Sequence, residues 1–222
     1  MTLRLASLIL ATGLGLGGCM QATLDALPPE AALKPRDKQL LANAPYAKAE
    51  IPEPYRRTVV SYHRNELPGT IVVDTDARYL YYVLPNKQAL RYGVTVGEEA
   101  LSWSGVAKVG RMADWPDWIP TAEIKQRMGN IPSHVAGGPA NPMGARALYL
   151  FEGPKDTLFR IHGTNQPEYI GEAISSGCIR MTNEDVIDLA SRVQVGSPVV
   201  VLKPVPGGTQ FNPRVAMTRM RT

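Results

Sequence analysis

The chain has 222 residues with two cysteines and three histidines, and Cys178 and His162 are the pair whose surroundings suggest a reaction. Cys178 stands in AISSGCIRM, residues 173–181, and His162 closes FRIHG. Side chains alternate across an extended strand. CIRM therefore puts Cys178 and Arg180 on one face and Ile179 and Met181 on the other. FRIHG repeats the pattern, with Phe159 and Ile161 to one side and Arg160 and His162 to the other. If two such strands pair, their apolar residues enter a core and the imidazole comes to the thiol. An imidazole that accepts the thiol proton yields a sulfur nucleophile for acyl transfer. A guanidinium at Arg180 favours the thiolate. Gly177 permits close backbone approach, so N–H groups around Gly177 and Cys178 can converge as an oxyanion hole. Both side chains are expected to open onto a solvent-filled cleft.

Simpler explanations exist for each residue. Burial is the plainer fate of a lone cysteine, but the three local features weigh against it. A zinc site of Cys178, His162 and His134 lacks the paired C-x-x-C or H-x-x-x-H spacing of such centres. His63 reads as a surface residue, and His134, in the loop PSHVAGGPANPMGAR, reads as solvated. Trp103, Trp115 and Trp118 can cover a peptide groove, although at least two are expected simply to pack. Arg160 suits a surface salt bridge. Arg180 suits a substrate carboxylate, the thiol or a loop equally.

Several elements must hold this pair. TIVVDT, RYLYYVL and ALRYGVT are short runs of β-branched and aromatic residues broken by turns, which predicts an antiparallel meander from Thr70. Strands resume at ALYLF, TLFRIHG, GCIRM and SPVVVL. The stretch from Ser102 to Arg146 is less regular, with one helix candidate in TAEIKQRM. In TNEDVIDLASRV, Thr182 and Asp185 resemble a capping box, and Val186, Leu189 and Val193 share a helical face. The fold class predicted is mainly β and sandwich-like, with one or two short helices.

The ends read differently. Residues 1–18 carry one Arg (Arg4), an apolar run from Leu5 to Leu16 and small residues, the pattern of a secretory signal. The run is too short for a membrane span, which needs about 20 apolar residues. LGGC, ending at Cys19, resembles a bacterial lipobox, which implies a lipidated Cys19. Met20 rather than Asp after it resembles outer-membrane sorting. Residues 19–68, rich in Ala, Pro and charge, read as a tether with one short helix near Lys38–Leu41. Residues 69–203 read as the catalytic domain and 204–222 as a basic tail. Without Arg4 the chain has 23 basic and 20 acidic residues, a net charge of +3. No dense basic patch with interleaved aromatics is present, so nucleic-acid binding has little support.

The compound pattern IHGTNQPEYIGEAISSGCIRMTNEDV resembles the L,D-transpeptidase catalytic domain family, the YkuD type. Its signature is HGT, a spacer, then Ser/Thr–His–Gly–Cys, an aliphatic residue and Arg or Asn. The likeness continues through NPMGARALYL and GTIVVDTDARYLYYV, roughly Gly69 to Lys203. It implies Cys178 as nucleophile, His162 as base and the Gly163 carbonyl orienting the imidazole. Ser175, Gly177 and Arg180 match the remaining positions. The family's second histidine is Ser176 here. The resemblance further implies attack on the L,D-bond of a peptidoglycan tetrapeptide stem, release of D-Ala and transfer to an amine, without a cofactor. Water as acceptor would make it a carboxypeptidase. A non-catalytic peptidoglycan-binding lipoprotein is the reading from another class. Carbapenem-type inhibitors are expected to acylate Cys178, and the expected location is the periplasmic face of the cell envelope.

Overall fold

Short runs of branched and aromatic residues set the architecture, which among the described residues is a hydrogen-bonded sheet of ten strands. The structure is a computed structural model that describes residues 33–46, 49–97, 103–174 and 178–205. In chain order the strands are β1 (Thr58–Ser61), β2 (Ile71–Asp74), β3 (Tyr79–Leu84), β4 (Gln88–Gly93) and β5 (Thr95–Val96). They continue as β6 (Gly105–Asp114), β7 (Arg146–Glu152), β8 (Lys155–His162), β9 (Ile179–Arg180) and β10 (Pro198–Val201). Helices α1 (Pro35–Ala42), α2 (Ala122–Met128) and α3 (Asn183–Arg192) accompany them.

The strand order is β1-β4-β3-β2-β10-β6-β7-β8-β9-β5. Neighbours run antiparallel except β2 with β10 and β8 with β9, which are parallel. β4 and β5 are separated only by Val94, yet they lie near opposite ends of this order. The sheet must therefore curl over on itself, as a sandwich does. The principal core fills the space between: Ile71, Leu80, Tyr92, Val109, Leu148, Leu150, Ile161, Ile179 and Val199 are buried there together. A smaller cluster, Tyr62, Val72, Val83 and Ala89, covers the other face of β2–β4.

α3 closes the principal core over β7 and β8. Its start is fixed by Thr182, whose hydroxyl accepts the Asp185 N–H at 3.1 Å. Val186, Leu189 and Val193 point inward, as their spacing predicts. Tyr92 beneath the helix gives its hydroxyl proton to Asp188 at 2.6 Å, and Arg57 and Arg192 bond the same carboxylate.

Two expectations change. β6, ten residues long, runs through the stretch expected to be irregular. A bulge between Val109 and Arg111 shifts its register against β7, which breaks the alternation a reader looks for. The segment expected to be a tether up to residue 68 is also drawn onto the domain. Leu33, Leu40 and Leu41 of the α1 region pack on the principal core, and β1 pairs with β4 at the sheet edge. The physical reason is long-range: Asp37, 2% exposed, is seized by Arg146 and Trp115 from the domain. Residues 1–32, including Cys19, and residues 206–222 lie outside the described part.

Candidate active site

His162 is the last residue of β8, and neighbours on both sides hold its backbone. Ala147 of β7 and Arg180 of β9 are its register partners. The His162 carbonyl accepts the Met181 N–H at 2.8 Å, and the next N–H, of Gly163, is given to the Arg146 carbonyl at 3.0 Å. The ring's Nδ1 lies 2.6 Å from the Gly163 carbonyl oxygen. A carbonyl can only accept, so Nδ1 carries the proton and Nε2 is the basic nitrogen. The family resemblance implied an orienting role for this carbonyl, and the contact such a role requires is present.

The ring is 4% exposed. Burial, followed by the Arg180 charge, pushes its pKa down from 6.5 to about 3, against hydrogen bonds to the backbone at Gly163 and Met143 that pull the other way. The imidazole is therefore neutral across the physiological range, which is the form a proton acceptor needs. The expectation that the ring opens onto solvent is not met. It lies below the surface because β7, β8, β9 and the start of α3 close around it.

Cys178 carries the exposure instead. It is half-buried and belongs to no disulfide. The parallel register pairs Ile161 with Ile179 and His162 with Arg180. Both isoleucines are in the core, so Arg180 and His162 share the opposite face. Cys178 directly precedes β9, two residues before Arg180, the register partner of His162. β5 fixes the approach to the thiol from both ends: the Ile174 N–H bonds the Val96 carbonyl at 3.0 Å, and the Gly97 N–H bonds the Cys178 carbonyl at 3.1 Å. Gly177, expected with Cys178 to form the oxyanion hole, and Ser175 and Ser176, expected on the oxyanion or substrate side, lie outside the described residues. Arg180 reaches the Gln166 side-chain oxygen at 3.4 Å, on the loop that follows His162.

Asn183 is the residue that sequence reasoning missed. It is 1% exposed and joins three segments. Its Oδ1 accepts the Ala145 N–H at 2.8 Å, and its Nδ2 donates to the Thr164 carbonyl at 3.0 Å and the Tyr46 hydroxyl at 2.6 Å. A Cβ on Gly163, or on Gly144 at φ +62°, would lie 2.2 Å from that Oδ1. Both positions need glycine because the amide is wedged between them. The available signal was a polar residue directly after a helix cap, which reads as an ordinary first-turn residue.

The other residues singled out are elsewhere. His134 pairs with Asp117 at 3.0 Å on an exposed loop. Arg160 is held by Asp156 through two bonds of 2.6 and 2.8 Å, and it stacks on Tyr149 opposite Arg111. Trp103 stacks on Phe159, and Trp115 is buried, so these two tryptophans pack.

The chain is similar to known L,D-transpeptidases. A family model described as the L,D-transpeptidase catalytic domain, YkuD, matches residues 68–201. An Escherichia coli (strain K12) protein named "Probable L,D-transpeptidase ErfK/SrfK" is 35% identical over 149 residues, covering 61% of this chain and 46% of that protein. A Bacillus subtilis (strain 168) protein named "Putative L,D-transpeptidase YkuD" is 33% identical over 153 residues, 68% of this chain and 70% of that one. The chain thus spans a little under half of the E. coli relative. A solved Brucella melitensis chain, described as a probable carnitine operon oxidoreductase, is 47% identical and covers 68% of this chain and 96% of its own length. Its TM-score is 0.47, and the oxidoreductase activity is ascribed to that protein alone.

Proposed function

The chain belongs to the L,D-transpeptidase catalytic domain family, and from that premise we propose that it is a thiol acyltransferase acting on peptidoglycan stem peptides. The observation that carries the reading is a buried His162 whose Nδ1 is committed to the Gly163 carbonyl, on the strand that pairs with β9 directly after Cys178. Nε2 takes the thiol proton, and the sulfur attacks the carbonyl carbon of the L,D-amide before the terminal D-Ala. The C–N bond breaks, the amine leaves with the proton from the imidazolium, and a thioester remains. An acceptor amine then attacks the thioester, passes its proton to His162, and the C–S bond breaks to restore the thiol. The transient imidazolium is hydrogen-bonded by a carbonyl in place of the carboxylate that serves this purpose in serine-type triads.

Gly177 and Cys178 backbone N–H groups are proposed to receive the oxyanion, with Ser175, Ser176 and Arg180 on the substrate side. Ser176 stands where the family carries a second histidine, so His162 alone serves as the base. A lipidated Cys19 would hold the domain to the envelope membrane on its periplasmic side. Mass spectrometry of the mature N-terminus should find acylated Cys19, and an unmodified terminus elsewhere would remove the anchor.

The activity is tested by incubating purified protein with a defined tetrapeptide fragment and identifying products by mass. A cross-linked dimer with loss of D-Ala is expected. A trimmed tripeptide would assign water as the acceptor, and unchanged substrate would contradict the proposal.

A further inference from the structure

We propose that residues 33–46, which precede the family-matched region, form a strap that positions His162: Asp37 and Tyr46 fix Arg146 and Asn183, the two residues that seat the Gly163 peptide. The inference rests on His162 being the base.

Each end of the strap has its own grip. Near the start, the Asp37 carboxylate takes two bonds from Arg146, at 3.0 and 2.6 Å, and one from the Trp115 indole N–H at 2.8 Å. Burial alone would raise the Asp37 pKa, but Arg146 and Trp115 overturn this and hold it below the usual carboxylate range. Arg146 also bonds Asp114 at 3.1 Å, so its side chain is fixed from two sides. The backbone carbonyl of this same Arg146 accepts the Gly163 N–H at 3.0 Å. At the other end of the strap, the Tyr46 hydroxyl accepts from Asn183 Nδ2 at 2.6 Å. The opposite side of that amide is the Oδ1 against which Gly163 and Gly144 close, and its second Nδ2 bond holds Thr164. Leu40 and Leu41, on α1 between the two grips, pack on the core and keep the grips in register.

The two lines of force meet at one peptide. The Gly163 N–H is held through Arg146, its Cα is backed by Asn183, and its carbonyl is the acceptor for His162 Nδ1. If the Gly163 peptide turns, the imidazole loses the partner that sets its tautomer. Asp37 and Tyr46 touch neither substrate nor the reacting atoms, so they are positioning residues. The charges bearing on the ring are those of Arg180 on β9 and Arg160 on β8. Cys178 is the titratable group directly before β9. Tyr46→Phe alters none of these.

The test uses the full chain carrying Tyr46→Phe, with Asn183→Ala as the stronger variant. Thiol acylation by a tetrapeptide is followed as kcat and KM across pH, and the His162 ring nitrogens are observed by 15N NMR without substrate. Tyr46→Phe should lower kcat about fivefold, the value of one hydrogen bond, and leave KM unchanged. Asn183→Ala should lower kcat by about 10²-fold. In both variants the ring should leave the single Nδ1–H tautomer, and the acid limb of kcat should move further down, because the Gly163 carbonyl bond that favours the protonated ring is lost. If Asn183→Ala does not fold, Tyr46→Phe alone decides, because it removes a hydroxyl and keeps the ring. A Tyr46→Phe protein with wild-type kcat, acid limb and ring shifts would overturn the strap. The ring signature needs no peptide substrate, so a failed strap is distinguishable from a failed transpeptidase assignment.

Discussion

The two halves of the Cys178–His162 couple are built differently. The imidazole half ends an eight-residue strand, is nearly sealed, and is braced by β7, β9, α3 and a segment more than a hundred residues away in sequence. The thiol half stands half-buried at the mouth of a two-residue strand, which pairs by backbone bonds with another two-residue strand. The contrast marks a division of labour. A base must be neutral and aimed before substrate arrives, so burial and rigid hydrogen bonds serve it. A nucleophile must meet a peptide from outside, so it keeps access and sits where the sheet is shortest.

Breaking the braced half should have the largest effect. His162→Ala should slow acylation of Cys178 by about 10³-fold, the usual range for losing a general base, as followed by intact-protein mass over time. Undiminished acylation would place the base elsewhere.

Next in size is the buried grip on the strap. Asp37→Ala removes two charged hydrogen bonds and leaves the buried Arg146 with the half-exposed Asp114, and should cost about 1.5–3 kcal/mol in denaturant unfolding. A loss below about 1 kcal/mol would mean the strap is surface decoration.

The pH dependence of stability sharpens the same contrast. His162 has a pKa lowered to about 3, so its contribution is complete above 6.5 and is lost as pH falls through 3. Asp185 at the start of α3 runs the other way. Burial, partly offset by Arg57, raises its pKa to about 6, so its contribution is complete below 3.8 and is lost as pH rises through 6. Between these limits the two oppose each other. Asp185→Asn should therefore make stability climb more steeply from pH 4 to 6, measured by denaturation at several pH values. A slope that stays the same or flattens would contradict the raised Asp185 carboxyl.

The smallest effect belongs to the strap's outer contact. Lys34 and Asp114 are exposed and 2.8 Å apart, and Lys34→Ala should cost under about 1 kcal/mol in the same unfolding assay. A loss matching that of Asp37→Ala would erase the distinction between the strap's inner and outer faces.

The sequence made the faces legible but not the braces. Period-two alternation in FRIHG and CIRM separates Phe159, Ile161, Ile179 and Met181 from His162, Cys178 and Arg180, and in the structure the first four lie in or against the core while His162 and Arg180 pair in register. The capped helix after Thr182 was equally readable. β6 was hidden because Lys108, Arg111 and the bulge at Gly110 interrupt its pattern. The strap was hidden for a different reason. Asp37 in PRDKQLLA looks like any solvated helix charge, and only its partner 109 positions later reveals its burial. Asn183 likewise gains its meaning from Ala145, Thr164 and Tyr46, none of which is a sequence neighbour. Local periodicity reports which way a side chain points, whereas pairing between distant segments fixes what holds it.

The central claim is that the sulfur of Cys178, activated by His162, takes the acyl group. The most direct measurement is acid-quenched mass analysis of the full chain during turnover of a tetrapeptide donor. A tripeptidyl adduct on the peptide containing Cys178, absent from Cys178→Ala, is the predicted result. An adduct of equal size that persists in Cys178→Ala, or a donor that loses D-Ala with no adduct on Cys178, would contradict the account.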